Sequence, residues 1–231
     1  MSISKAEDRL FAKWKKCRPN LVRDGVVDEA AYTASEPKIL LVLKEVNEKG
    51  AEKVGGWDLR DYFKNPHRWQ TVNALARWII GIRELPARSQ WKDVYKLERE
   101  KLKQALRSVA VMNLKKAPGG ASADNRALAK AVSEDKNLLA EQFLLYDADI
   151  VICCGSVRYL VNEALSLDGT GWKMSSGGVP YYEYKQGKFL IAYKHPQART
   201  RQEPLFCGLM DTVEELRRKE PAASLLASGA K

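Results

Sequence analysis

The 231-residue chain is short of the features that mark membrane-spanning or secreted proteins. No apolar run approaches the roughly 20 residues that a bilayer crossing needs, so a membrane role is not expected. The opening stretch MSISKAEDRL has no apolar core of a secretory signal. Cysteine is limited to Cys17, Cys153, Cys154 and Cys207. The adjacent pair lies inside an apolar run, which suits core thiols better than a disulfide framework, and a reducing cytoplasm is the expected compartment. Histidine is scarcer still, with only His67 and His195. No internal repeat or low-complexity linker divides the chain, so one domain over 1–219 with a loose tail over 220–231 is expected.

Positive charge, by contrast, is in excess. Lys and Arg number 39 against 29 acidic residues, a net charge of +10, while 45% of residues are hydrophobic. A core of ordinary size needs no staples. The surplus favours a polyanionic partner, nucleic acid before a membrane surface, although a merely solvated basic surface is equally compatible with the charge alone.

Periodicity gives the elements. Ser4 and Glu7 fit a capping box for a first helix reaching about residue 16, with Leu10, Phe11 and Trp14 on one face. LLVL within 38–43, SVAVMN (108–113) and IVICC (150–154) are continuous apolar runs, the pattern of parallel strands covered on both faces. A hairpin turning at Gln186-Gly187 supplies a fourth core strand over 188–193. Residues 48–68 read as a long loop with one helical turn around 59–63. Helices are expected over 68–82, 91–107, 128–132, 138–145, from about 157, and from Pro204 to Lys219. Strands alternating with helices predict an α/β fold: three layers, α/β/α, around a central four-stranded, mostly parallel sheet.

In open α/β sheets the ligand crevice lies beyond the carboxyl ends of the strands. Here those ends read Lys44-Glu45-Val46-Asn47, Asn113-Leu114-Lys115-Lys116, Gly155-Ser156, and Lys194-His195-Pro196-Gln197-Ala198-Arg199. A carboxylate, amides, a histidine, several cations and a helix start are thus expected on one edge.

Three of these stretches, KEVN (44–47), VMNLKKAP…DNR (111–126) and YKHPQAR (193–199), resemble in order and spacing the motifs of the uracil-DNA glycosylase superfamily. That family carries a short polar motif after strand one, such as G-E-A-P-G or G-Q-D-P-Y, an Asn ending strand two, and H-P-S-P or similar after strand four. The likeness spans residues 38 to 216. Lys44 stands where the family usually has Gly, Val46 where some branches have a catalytic Asp or Asn, and the following prolines are missing. The cysteines do not match the iron–sulfur branch, so no cluster, metal or other cofactor is expected.

The resemblance implies base flipping and hydrolysis of a base–sugar bond, with uracil or a modified pyrimidine as the base. Glu45 would orient water and stabilise the positively charged sugar, with Asn47 lining the pocket; a solvated strand-end carboxylate is the alternative. His195 would donate a hydrogen bond to the pyrimidine O2. Asn113 would read the base edge, uracil-like or cytosine-like according to which way its amide faces. Trp57 or Phe63 would stack on the base. Lys115, Lys116, Gly155, Ser156, Lys194, Arg199 and Arg201 would contact the DNA backbone, Gly155-Ser156 as a helix N-terminus. The expected protein is a monofunctional, monomeric enzyme with DNA as its partner. The rival readings are a non-catalytic DNA-binding module with the same fold and a nucleotide hydrolase acting on a small substrate.

Overall fold

The computed structural model describes residues 2–47, 57–66, 70–85, 87, 89–120 and 123–219. The side chain of Trp57, His67 and the 220–231 tail lie outside that description.

Among the described residues nine strands form two sheets. The larger has seven strands in the order β2 (Gly25–Val26), β5 (Ala110–Asn113), β3 (Ile39–Leu43), β6 (Ile150–Cys154), β9 (Lys188–Tyr193), β8 (Pro180–Lys185), β7 (Trp172–Met174); β1 (Val22–Arg23) and β4 (Trp57–Asp58) pair separately. β5, β3, β6 and β9 run parallel to one another, while β2, β8 and β7 are antiparallel additions at the edges. The sheet is therefore mixed and seven-stranded, not four-stranded. The four apolar runs are its centre. β8 is the first arm of the expected hairpin, whereas β2 and β7 escaped the sequence reading because they are two and three residues long.

Helices cover both faces of this sheet. One core gathers Leu41, Val111, Ile152 and Ile191 under α4 (Gln70–Arg83), α6 (Arg99–Arg107) and α9 (Gln202–Arg218). The other gathers Leu40, Met112, Val151 and Leu190 under α1 (Ile3–Lys15) and α7 (Asn125–Tyr146). Odd and even strand residues part between the two cores because successive side chains on a strand point to opposite faces.

Several helices differ from their expected form. Ser2, not Ser4, caps α1. The Ser4 backbone and hydroxyl instead donate to Glu29, at 3.1 and 2.6 Å, and Glu7 turns into the protein. The expected helix over 91–107 is two, α5 (Trp91–Tyr95) and α6, because Trp91 packs on Phe206 of α9 (ring centroids 5.5 Å apart) while α6 packs on α4. Residues 128–145 are one continuous α7, started by Asp124, whose carboxylate accepts from the Arg126 and Ala127 N–H groups. The helix after β6 is only α8 (Val157–Tyr159), passing into a π-helical stretch at Leu160–Leu165. α2 (Glu29–Thr33) was not anticipated, and α3 (Leu59–Lys64) is the expected helical turn. Among the described residues no helix is long and apolar enough to cross a membrane.

A buried polar network ties α1, β2, α3 and α7 together. The Asp24 carboxylate, fully buried, accepts from both the Lys116 ammonium (2.7 and 2.8 Å) and the Gln142 amide (2.7 Å). Beside it, Glu7 accepts from the Val26 N–H at 2.7 Å and from Arg60 at 2.9 Å. Burial nevertheless pushes the Glu7 carboxyl up to about 7. Gly25 (φ +124°) is where this network comes closest to the backbone, since a Cβ there would fall 2.1 Å from a Glu7 carboxylate oxygen.

Candidate functional site at the strand ends

Register places the site. Leu43 of β3 pairs with Asn113 of β5, Val42 with Cys153 of β6, and Cys154 with Tyr193 of β9, so four chain segments leave the sheet at one level. The exits of β3 and β5 stay joined beyond the ladder. The Leu114, Lys115 and Gly119 N–H groups donate to the carbonyls of Leu43, Lys44 and Val46 at 3.0, 2.9 and 2.8 Å. Asn47 forms a parallel bridge with Gly119.

A cavity of about 740 Å³ opens at this edge, a size usual for small-molecule sites. Glu45, Asn47, Phe63, Asn113, Gly155 and His195 all line it. Residues from β3, α3, β5, β6 and β9 thus meet in one place.

The Glu45 side chain is only 5% exposed and its carboxylate accepts from the Lys115 ammonium at 2.6 Å. Lys115 also donates to the Pro118 carbonyl at 3.3 Å. Gly119 closes over the same carboxylate, where a Cβ would sit 2.1 Å from the Glu45 carboxyl carbon. Only glycine lets the loop approach this closely.

Asn113 is fully buried. Its backbone N–H donates to Asp24 at 2.7 Å, yet neither Nδ2 nor Oδ1 of its side chain has a hydrogen-bond partner among the described residues. A buried amide without partners costs roughly 1–3 kcal/mol for each orphaned group, so in a native protein it calls for an explanation. Because Asn113 lines the cavity, a ligand edge bearing one donor and one acceptor would satisfy it.

His195 Nδ1 accepts the Gln197 N–H at 3.1 Å. The neutral ring therefore carries its proton on Nε2 and is a donor there. Burial first, and the Lys44 charge second, hold its pKa below the usual 6.5, so the ring is neutral at pH 7.

The other expected site residues differ in their surroundings. Phe63 lines the cavity but is 1% exposed and belongs to the core beneath it, and Trp57 sits in β4 with its side chain outside the described residues. Lys194, Arg199 and Arg201 are exposed on the chain leaving β9. Lys116 and Ser156 do not fit the expected DNA-contact role. Lys116 is 1% exposed, clasped by Asp24, with its ammonium 4.9 Å from the centroid of the Trp14 ring. Ser156 is buried and donates to the Val42 carbonyl at 2.7 Å, bracing β6 against β3. Gly155-Ser156 precedes α8, three α-helical residues that pass into the π-helical stretch at Leu160–Leu165. Lys115 is held by Glu45 and serves the site from within.

The sequence reading missed Tyr62, Gln70 and Thr71, which also line the cavity. Tyr62 neighbours Phe63 on α3, and a helical spacing argument there could have found it. Among the described residues no group of three His, Cys, Asp or Glu side chains is placed to hold a metal ion. No protein-family model and no curated protein matches the chain.

Proposed function

We propose that the chain is a DNA glycosylase that draws one pyrimidine nucleotide, carrying uracil or a modified base, out of the duplex and hydrolyses its N-glycosidic bond. The observation that carries this reading is the partnerless Asn113 amide, buried and facing a cavity that also holds Glu45 and His195. An amide in that state suits a nucleobase edge, which offers a donor and an acceptor side by side.

The residues divide the work. Glu45, held by Lys115, orients a water against C1′ and takes its proton as the water oxygen bonds to that carbon; its charge also favours the cationic sugar. The C1′–N1 electron pair leaves with the base, and His195 Nε2–H donates to O2 as negative charge grows there. Lys194, Arg199 and Arg201, exposed beside the cavity, supply phosphate contacts. The enzyme would act as a cytoplasmic monomer, in repair or against foreign modified DNA.

One observation favours a non-catalytic DNA-binding module instead, namely that the Glu45 carboxylate is already ion-paired at 2.6 Å. A panel of labelled duplexes, each with one uracil, hypoxanthine, mismatched thymine or 5-substituted cytosine, separates the two. Alkali-revealed abasic sites in a pyrimidine-bearing duplex are expected, with binding that weakens steeply between low and moderate salt. Tight, salt-sensitive binding without release of any base would establish the module.

A further inference from the structure

We propose that Lys44 is a further catalytic residue, whose ammonium shares with His195 the negative charge of the departing base; this rests on the glycosylase reading above. Lys44 and His195 both line the cavity. They leave the ends of β3 and β9, the two strands that flank β6. Strand spacing puts those backbones roughly 10 Å apart, a span that a lysine and an imidazole bridge from opposite sides. Between them the exit of β6 is Gly155 (φ +70°), whose nearest neighbours for an added Cβ are the His195 Cβ and N at 3.9 Å. The absence of a side chain there keeps the space between Lys44 and His195 open for a ligand.

The Lys44 side chain is half-buried and makes no hydrogen bond or ion pair among the described residues. Lys115, by contrast, is spent on Glu45. The two lysines therefore differ in role: one holds the carboxylate that serves the sugar, the other, without a side-chain partner among the described residues, can meet an anion. Among the described residues the charged groups at the cavity with His195 are Lys44 and the Glu45–Lys115 pair, with Lys194 exposed beside it in the chain. Of these it is Lys44 that presses on the His195 ring electrostatically, favouring its neutral state. A neutral Nε2–H donor next to a fixed cation suits an oxygen that gains charge without taking a proton. In the step itself the C1′–N1 pair moves onto the base, the charge spreads over N1 and O2, and the freed anion is protonated later by solvent.

Two measurements test this. With His67→Gln removing the other imidazole, the His195 ring is titrated by NMR in otherwise wild-type protein and with Lys44→Met or Lys44→Arg. The expected result is a His195 pKa that rises toward its ordinary value in Lys44→Met and stays low in Lys44→Arg; no change in Lys44→Met overturns the proposal. Base release is then compared on duplexes carrying uracil and the better leaving group 5-fluorouracil. Lys44→Met is expected to lower kcat on uracil about a hundredfold with little effect on KM, to lose much less on 5-fluorouracil, and to be largely restored in Lys44→Arg. Equal losses on both bases, or a change confined to KM, would reduce Lys44 to a phosphate contact and overturn the proposal. Failure of the wild-type protein to release either base would instead sink the glycosylase reading, and the proposal with it.

Discussion

Glu45→Gln is expected to slow base release by about 10²–10⁴-fold while the protein stays folded. The amide fills the same space against Gly119. It cannot take a proton from water, and it offers no full charge to a cationic sugar. The lost partner, Lys115, is 20% exposed, so its ammonium can turn toward water rather than remain stranded. The stability cost therefore falls between that of an exposed ion pair, about 1 kcal/mol or less, and that of a buried one, about 3–5 kcal/mol. Single-turnover kinetics on the best duplex of the panel, paired with a thermal melt, separates the two effects. A variant that melts like wild type and still cleaves at the wild-type rate would remove Glu45 from the chemistry.

The largest expected effect on stability lies away from the cavity. Asp24→Ala should destabilise the fold by about 3–5 kcal/mol, which for a domain of this size lowers Tm by roughly 10 °C. Lys116 and Asp24 are both fully buried in their side chains, so removing the carboxylate leaves an ammonium with no counter-charge. It also strands the Asn113 N–H and takes one acceptor from the Gln142 amide, which keeps the Tyr146 hydroxyl at 2.7 Å. Replacing both members, Asp24→Leu with Lys116→Met, should cost less than Asp24→Ala alone, because the penalty comes from the orphaned charge more than from the lost attraction. Denaturant melts of the three proteins measure this. Negligible losses in both variants, or a double variant that loses more than Asp24→Ala, would contradict this account of the penalty. Asn113 depends on Asp24 for its backbone position, so Asp24→Ala should also impair base release at temperatures where it remains folded.

The geometry of the strand ends was legible because a strand repeats every two residues. Ile191, Tyr193 and His195 share a face, as do Val111, Asn113 and Lys115, and Leu41, Leu43 and Glu45; in each series the apolar members lie in or against the same core, and the polar member emerges at the cavity or beside it. The same rule, applied one residue further, would have placed Lys116 correctly. It follows Met112 and Leu114, both in the opposite core, and it meets Phe11 and Trp14 there. Read as half of a cationic pair it looked like a phosphate contact; read as every second residue it belongs inside. Asp24 was invisible for a different reason. Its importance comes from Asn113, Lys116 and Gln142, which lie 89 to 118 positions away in the chain, and no local pattern marks such a residue. β1 and β2, two residues each, are likewise too short to show a period.

In the proposed complex, residues far apart in the chain gather around one extruded nucleotide. A crystal structure of Glu45→Gln bound to a duplex with a single uracil tests it most directly. The expected result is the uracil out of the stack, its edge paired to the Asn113 amide at ordinary hydrogen-bond distances of about 2.7–3.2 Å, and His195 Nε2 against O2. A uracil still stacked in its duplex, with the cavity empty and the DNA lying on another face of the protein, would contradict it.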